Sequence, residues 1–99
     1  MTFNAEAQAL GWKADANEDI EFANECFERG KIKFGLFLCH LALEKMLKGL
    51  VCKTTGEQPP KIHNLILLAE LANLDISMEQ KRSLEEINEF NIAGRYNVP

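Results

Sequence analysis

The sequence predicts an all-α protein, an antiparallel up-and-down helical bundle formed as a single domain over residues 1–99. Apolar residues recur at steps of three and four through the long segments. No alternating β-branched run and no Asn-Gly or Asp-Gly hairpin occurs. The connections between periodic segments are short, which favours antiparallel neighbours.

Helix 1 is expected from Asn4 to Arg29, where Ala9, Trp12, Ala16, Ile20, Ala23 and Phe27 form one apolar stripe. Gly11 is a weak point within its first turns, and Gly30 is a natural stop after Arg29. Helix 2 is expected from Lys33 to Lys53. Taking His40 as zero at about 100° per residue, Lys33 falls near ~20°, Glu44 near ~40° and Lys48 near ~80°. Lys45 stands apart at ~140° among leucines. So narrow a polar stripe marks the central helix of a bundle. Thr54-Thr55-Gly56-Glu57-Gln58-Pro59-Pro60 is a loop.

Helix 3 follows from His63 to Asn73, with Leu65, Leu68, Ala69 and Ala72 inside. Ser77-Met78-Glu79-Gln80 reads as a capping box opening helix 4. Its apolar face continues through Leu84, Ile87 and Phe90 or Asn91 to Gly94. Helix 2 carries more apolar surface than three neighbours cover, since Phe34, Phe37, Leu38, Leu41, Leu43, Met46, Leu47 and Leu50 point in several directions. A homodimer or a further C-terminal helix is expected to cover the rest.

Composition narrows the function. With 46% hydrophobic and 26% charged residues, 99 residues make an ordinary globular domain. No apolar run approaches a membrane span and no basic leader opens the chain, so a cytoplasmic protein is expected. Cys26, Cys39 and Cys52 form no C-x-x-C pair and suit reduced, packed thiols. Cys39, His40 and Cys52 match no zinc spacing, and neither metal nor cofactor is expected. The net charge of −4 argues against general nucleic-acid affinity. It is unevenly spread: −6 over residues 1–28, +5 over 29–63 and −3 over 64–99. The basic middle is either an anion-binding surface or a stripe neutralised by acidic neighbours.

Several residues carry chemistry in this pattern. Asp19, at the edge of the inward stripe of helix 1, needs a donor, which Lys45 or Arg95 supplies as a register-fixing ion pair or within a ligand site. Glu44 and Lys48 are an i,i+4 pair in the favourable order, by default a surface bridge, so Asp19, Glu44 and Lys45 form the expected structural polar cluster. His63, after Pro59-Pro60-Lys61-Ile62, either caps a helix or bonds across to helix 2, or takes a catalytic or ligand role, as a general base for instance. Arg95 and Tyr96 present a forked donor and a hydroxyl, with Lys45 and Lys48 the further phosphate-binding candidates. No nucleophile triad, Walker loop, G-x-G-x-x-G or H-E-x-x-H occurs.

Taken together these pieces resemble the HEPN domain (higher eukaryotes and prokaryotes nucleotide-binding). Trp12 with Ala16-x-x-Asp19-Ile20-x-x-Ala23 is similar to its opening helix. Phe37 followed by His40-Leu41-Ala42-Leu43-Glu44-Lys45-Met46-Leu47-Lys48 resembles its A-x-E-K-x-L-K signature. Pro60-x-x-His63-Asn64-Leu65-x-x-Leu68 resembles P-x-T-H-D-L-x-x-L, with Ile62 in place of Thr and Asn64 in place of Asp. Arg95-Tyr96 occupies the place of an Ala-Arg-Tyr-Pro segment. The resemblance implies a bundle that dimerises, a fifth C-terminal helix beyond these four, and a minimal nucleotidyltransferase partner in a toxin–antitoxin-like pair. It implies a nucleotide- or RNA-related binding module. RNA-cleaving members carry an Arg-x4–6-His element, whereas Arg29 and Arg82 have no such His and the chain ends four residues after Arg95. A metal-independent endoribonuclease toxin, with His63 and Arg95 as catalytic candidates, and a purely structural dimerisation subunit remain the alternatives.

Overall fold

A computed structural model of the chain describes the backbone of residues 3–96 and the side chains of residues 3–89. It contains four helices: α1 (Ala5–Glu28), α2 (Ile32–Thr55), α3 (Leu65–Leu71) and α4 (Met78–Tyr96). No strand occurs among the described residues. Helix α2 is central: it touches all three others, and α3 and α4 also touch each other. No helix among the described residues is long and apolar enough to cross a membrane.

The caps follow local chemistry. Asn4 accepts from the backbone N–H of Ala7 at 3.0 Å and opens α1. Gly30, at φ 74°, makes the left-handed turn that reverses the chain into α2. Gly56, at φ 73°, ends α2 in the same conformation. Ser77 and Gln80 form the reciprocal capping box of α4, with Ser77 Oγ accepting from Gln80 N–H at 3.0 Å and Gln80 Oε1 from Ser77 N–H at 2.9 Å.

Small residues set the α1–α2 contact. Ala9, Ala16 and Ala23 recur every seven residues on α1 and are buried. Gly35, Ala42 and Gly49 recur every seven residues on α2 and are also buried. A Cβ on Gly49 would lie 3.3 Å from the carbonyl oxygen of Ala9 and 3.3 Å from Trp12 Cβ. A Cβ on Gly35 would collide with the Phe27 ring. These two contacts fix the antiparallel direction, and the shared seven-residue interval sets Ala16 against Ala42. With only methyl groups or hydrogens between them, the backbones approach closely at Gly49.

A second core lies on the other side of α2. Leu47, Val51, Leu65, Leu68, Ala69 and Ala72 form it, with Leu43, Ile62, Ile76, Leu84 and Ile87 packed against it. Leu65 and Leu68 are fully buried, each contributing roughly 1.5–3 kcal/mol through apolar transfer. Thr54 Oγ1 donates to the carbonyl of Ala72 at 3.1 Å and ties the end of α2 to the end of α3.

The structure departs from several expectations. Helix α1 runs through Gly11 without a break, because neighbouring turns are anchored by Ala9 and Ala16 in the small-residue contact. Ile20 is 42% exposed rather than part of the inward stripe, since the alanines at seven-residue spacing and Cys26 take that face. Helix α3 begins at Leu65, so His63 precedes it; the Asn64 side chain, not His63, caps it by accepting from Ile66 and Leu67 N–H. Helix α4 continues past Gly94 to Tyr96. The side chains of Phe90 and Asn91 lie outside the described residues.

Gly49→Val tests the close approach. The added branched side chain must displace the Ala9 backbone, so urea denaturation should show a loss of about 1–3 kcal/mol. Gly11→Ala, which meets nothing within 4 Å, should instead hold or raise stability.

Candidate functional site

The polar stripe of α2 faces inward. His40, Glu44 and Lys48 follow one another at i, i+4 and i+8 and are 0%, 6% and 7% exposed. The Glu44–Lys48 pair expected on the surface is therefore a buried one. The angular reading placed these residues together correctly, but helix position alone does not say which stripe turns inward. Here the space between α1 and the α3–α4 pair receives the charges.

Glu44 is the hub. Its Oε2 accepts from Lys48 Nζ at 3.0 Å, and both its oxygens lie 3.0 Å from His63 Nδ1. His40 Nδ1 lies 3.8 Å from Oε1. The Lys48 ammonium sits over the Trp12 ring, 5.5 Å from its centroid, a cation–π contact that covers its outer side. The carboxylate thus gathers an ammonium from its own helix and an imidazole from the loop after it. Removed from water, each charge depends on the others.

His63 is positioned by its neighbours in the chain. Ile62 N–H donates to the Pro60 carbonyl at 2.9 Å, curling the loop back towards α2. Asn64 then starts α3, and its Oδ1 also lies 3.3 Å from Asn88 Nδ2 of α4. Asn88 Oδ1 accepts from Leu65 N–H at 3.0 Å. The Asn64–Asn88 pair locks the first turn of α3 to α4 and holds His63 against Glu44. Asn88 did not stand out in the sequence; its only signal is an amide directly beside the inward Leu84 and Ile87.

The His63 side chain stays 43% exposed while its Nδ1 faces the carboxylate. With Nδ1–H donating to Glu44, Nε2 becomes the basic nitrogen, the arrangement in which a carboxylate orients an imidazole for proton transfer or ligand bonding. His40, by contrast, is fully enclosed, and neither ring nitrogen makes a hydrogen bond among the described residues. Burial holds its pKa below the ordinary 6.5, while the Glu44 charge and the nearby Asn88 amide pull the other way. Burial also raises the Cys52 thiol, partly offset by the Trp12 indole, and raises the Cys39 thiol.

Lys45 and Asp19 form a separate ion pair at 2.9 Å, their side chains 25% and 17% exposed. It ties α1 to α2 in a position that water still reaches. Both Lys45 and Lys48 are thus engaged by carboxylates. The side chains of Arg95 and Tyr96 lie outside the described residues. No group of three or more potential metal ligands occurs among the described residues. The three cysteines are free thiols.

Lys48→Met should cost about 3–5 kcal/mol in a urea melt, because it strands a buried carboxylate. Glu44→Gln combined with Lys48→Met should recover most of that loss, since neither charge remains. His40 makes stability pH-dependent. Its folded pKa is lowered, so the unfolded chain binds more protons and stability rises with pH. The stabilisation is complete above about pH 6.5 and is lost as pH falls below it, with a slope approaching about 1.4 kcal/mol per pH unit for one proton. His40→Gln should remove that component from denaturation midpoints measured between pH 7 and 5.

The HEPN domain family model matches residues 9–99. No curated protein matches the chain. No solved structure matches it either. The matched span contains all four helices apart from the first turn of α1, together with the Glu44 hub, His63 and the Asn64–Asn88 lock. The chain belongs to the HEPN domain family.

Proposed function

We propose that this HEPN domain is a nucleotide- or RNA-binding module that works as a homodimer beside a minimal nucleotidyltransferase partner. The observation that carries the ligand reading is the Glu44–His63 contact. It spends a buried carboxylate on orienting an imidazole that remains open to solvent. The contact helps satisfy the buried carboxylate, and it leaves an oriented imidazole open to solvent, where a phosphate or ribose hydroxyl can be bonded or deprotonated by it. The ligand residues are His63, within the basic stretch of residues 29–63, and, from the sequence, Arg95 and Tyr96. Lys48 supports this site by holding the Glu44 side chain in place, and Lys45 supports it by fixing α1 on α2. The nucleotidyltransferase partner and a toxin–antitoxin-like pairing rest on family membership.

The same contact favours a second reading, a metal-independent endoribonuclease in which His63 takes the proton of the attacking 2′-hydroxyl and Arg95 stabilises phosphate charge. Fluorescence anisotropy with a short labelled single-stranded RNA, and with labelled ATP, separates the readings. Binding should weaken steeply as salt rises, through screening and counterion release. His63→Ala and Arg95→Ala should each weaken it by about tenfold, equivalent to about 1.4 kcal/mol. His63→Ala also removes a donor from buried Glu44 and lowers the melting temperature, so its binding is read where circular dichroism shows the chain folded. Cleavage that persists with chelator and fails in His63→Ala would establish the second reading. Binding indifferent to salt and to both substitutions would leave a structural dimerisation subunit.

A further inference from the structure

One face of α2 is left open by the bundle. Ile32, Leu36, Cys39, Leu43, Met46 and Leu50 follow one another at intervals of four, three, four, three and four residues. Ile32, Met46 and Leu50 are 52%, 40% and 39% exposed, and the other three are half-buried. On one side of this line Gly35, Ala42 and Gly49 are taken by α1; on the other Leu47 and Val51 are taken by α3 and α4. Leu43 also touches the second core, and the line carries no charged side chain over 19 residues, about 27 Å of helix.

Ile32, Cys39 and Met46 recur every seven residues, as do Leu36, Leu43 and Leu50, the heptad interval of a coiled-coil seam. The interval pattern also reads the same in both directions. Such a face fits a second copy of itself about a two-fold axis, the isologous arrangement. An antiparallel pair then sets Ile32 against Leu50, Leu36 against Met46 and Cys39 against Leu43. The charges select that direction. Arg29, Lys31 and Lys33 cluster at the start of α2 without an acid until Glu44. A parallel pair would stack two such clusters, whereas the antiparallel pair keeps them about 27 Å apart and aligns the helix dipoles favourably.

We propose that the homodimer forms by antiparallel packing of two α2 helices along the line Ile32–Leu36–Cys39–Leu43–Met46–Leu50. This rests on the homodimer reading above and assigns its surface and direction. Six side chains per copy are fewer than the roughly 20–30 residues of a standard interface, so the association is concentration-dependent in the micromolar range.

Light scattering of the full chain across a dilution series tests it, with Leu36→Lys, Met46→Glu and the double variant. Each single charge should raise the dimer Kd at least about tenfold. The double variant should return towards the parent value, because Leu36 of one copy faces Met46 of the other. Within one chain these residues lie about 15 Å apart along the helix, so only an intermolecular pair produces rescue. Far-UV circular dichroism checks the fold; should Leu36→Lys unfold the chain, Ile32→Lys with Leu50→Glu, both at exposed positions, repeats the design. A monomer at every concentration overturns both this assignment and the homodimer itself. A dimer indifferent to all the single charges overturns the α2 surface but leaves dimerisation standing. Weakening by single charges without rescue in the double variant overturns the antiparallel direction. RNA anisotropy is a separate readout, so loss of ligand binding with the dimer intact bears on the ligand reading alone.

Discussion

A carboxylate cannot sit at the centre of a small helical bundle unless it is surrounded by donors, and the layout around Glu44 follows from that constraint. The ammonium of Lys48 comes from the next turn of the same helix, and Trp12 of α1 covers it. The imidazole of His63 comes from the loop between α2 and α3. Satisfying one buried charge therefore commits three parts of the chain to definite positions. Apolar packing alone would hold the helices together with less discrimination between neighbouring registers. The Asn64–Asn88 pair extends the same logic outward to α4.

The two sides of α2 are held by different physics. Towards α1 the contact is one of backbone proximity, with glycines and alanines and a part-exposed ion pair between Asp19 and Lys45. Towards α3 and α4 it is a conventional leucine and isoleucine core. The polar stripe lies between these two contacts. Neither contact must be sacrificed to accommodate it, which explains how a bundle of this size tolerates three buried ionisable side chains on one helix.

Much of this was legible in the sequence. The helix number, the capping box at Ser77–Gln80 and the inner face of α3 followed from periodicity and capping chemistry, which are local. The loop expected from Thr54 to Pro60 starts only at Gly56, because α2 runs on through Thr55 to its glycine cap. The grouping of His40, Glu44 and Lys48 on one side of α2 also followed. What could not be read was which side faced inward, because α2 is apolar almost all round and its burial depends on where other helices lie. Lys45 drew attention for standing among leucines, yet those leucines belong partly to the outer face. The decisive clue was the matching seven-residue recurrence of alanine on α1 and of Gly-Ala-Gly on α2. Small residues carry little hydrophobic weight, so a search for large apolar stripes passes over them. Asn88 was hidden for a different reason: an amide's role is set by its partners, and Asn64 is distant in sequence.

Trp12 is the only tryptophan in the chain, and it lies against the Lys48 ammonium and close to the Cys52 thiol. The indole Nε1 is buried without a hydrogen-bond partner among the described residues. Indole emission responds to nearby charge and to the polarity around the ring. The protein therefore contains a built-in optical reporter, seated next to the charged hub rather than in a remote hydrophobic patch. A shift in its emission without unfolding reads a rearrangement around Glu44 directly. It needs no label, and no second indole complicates the signal.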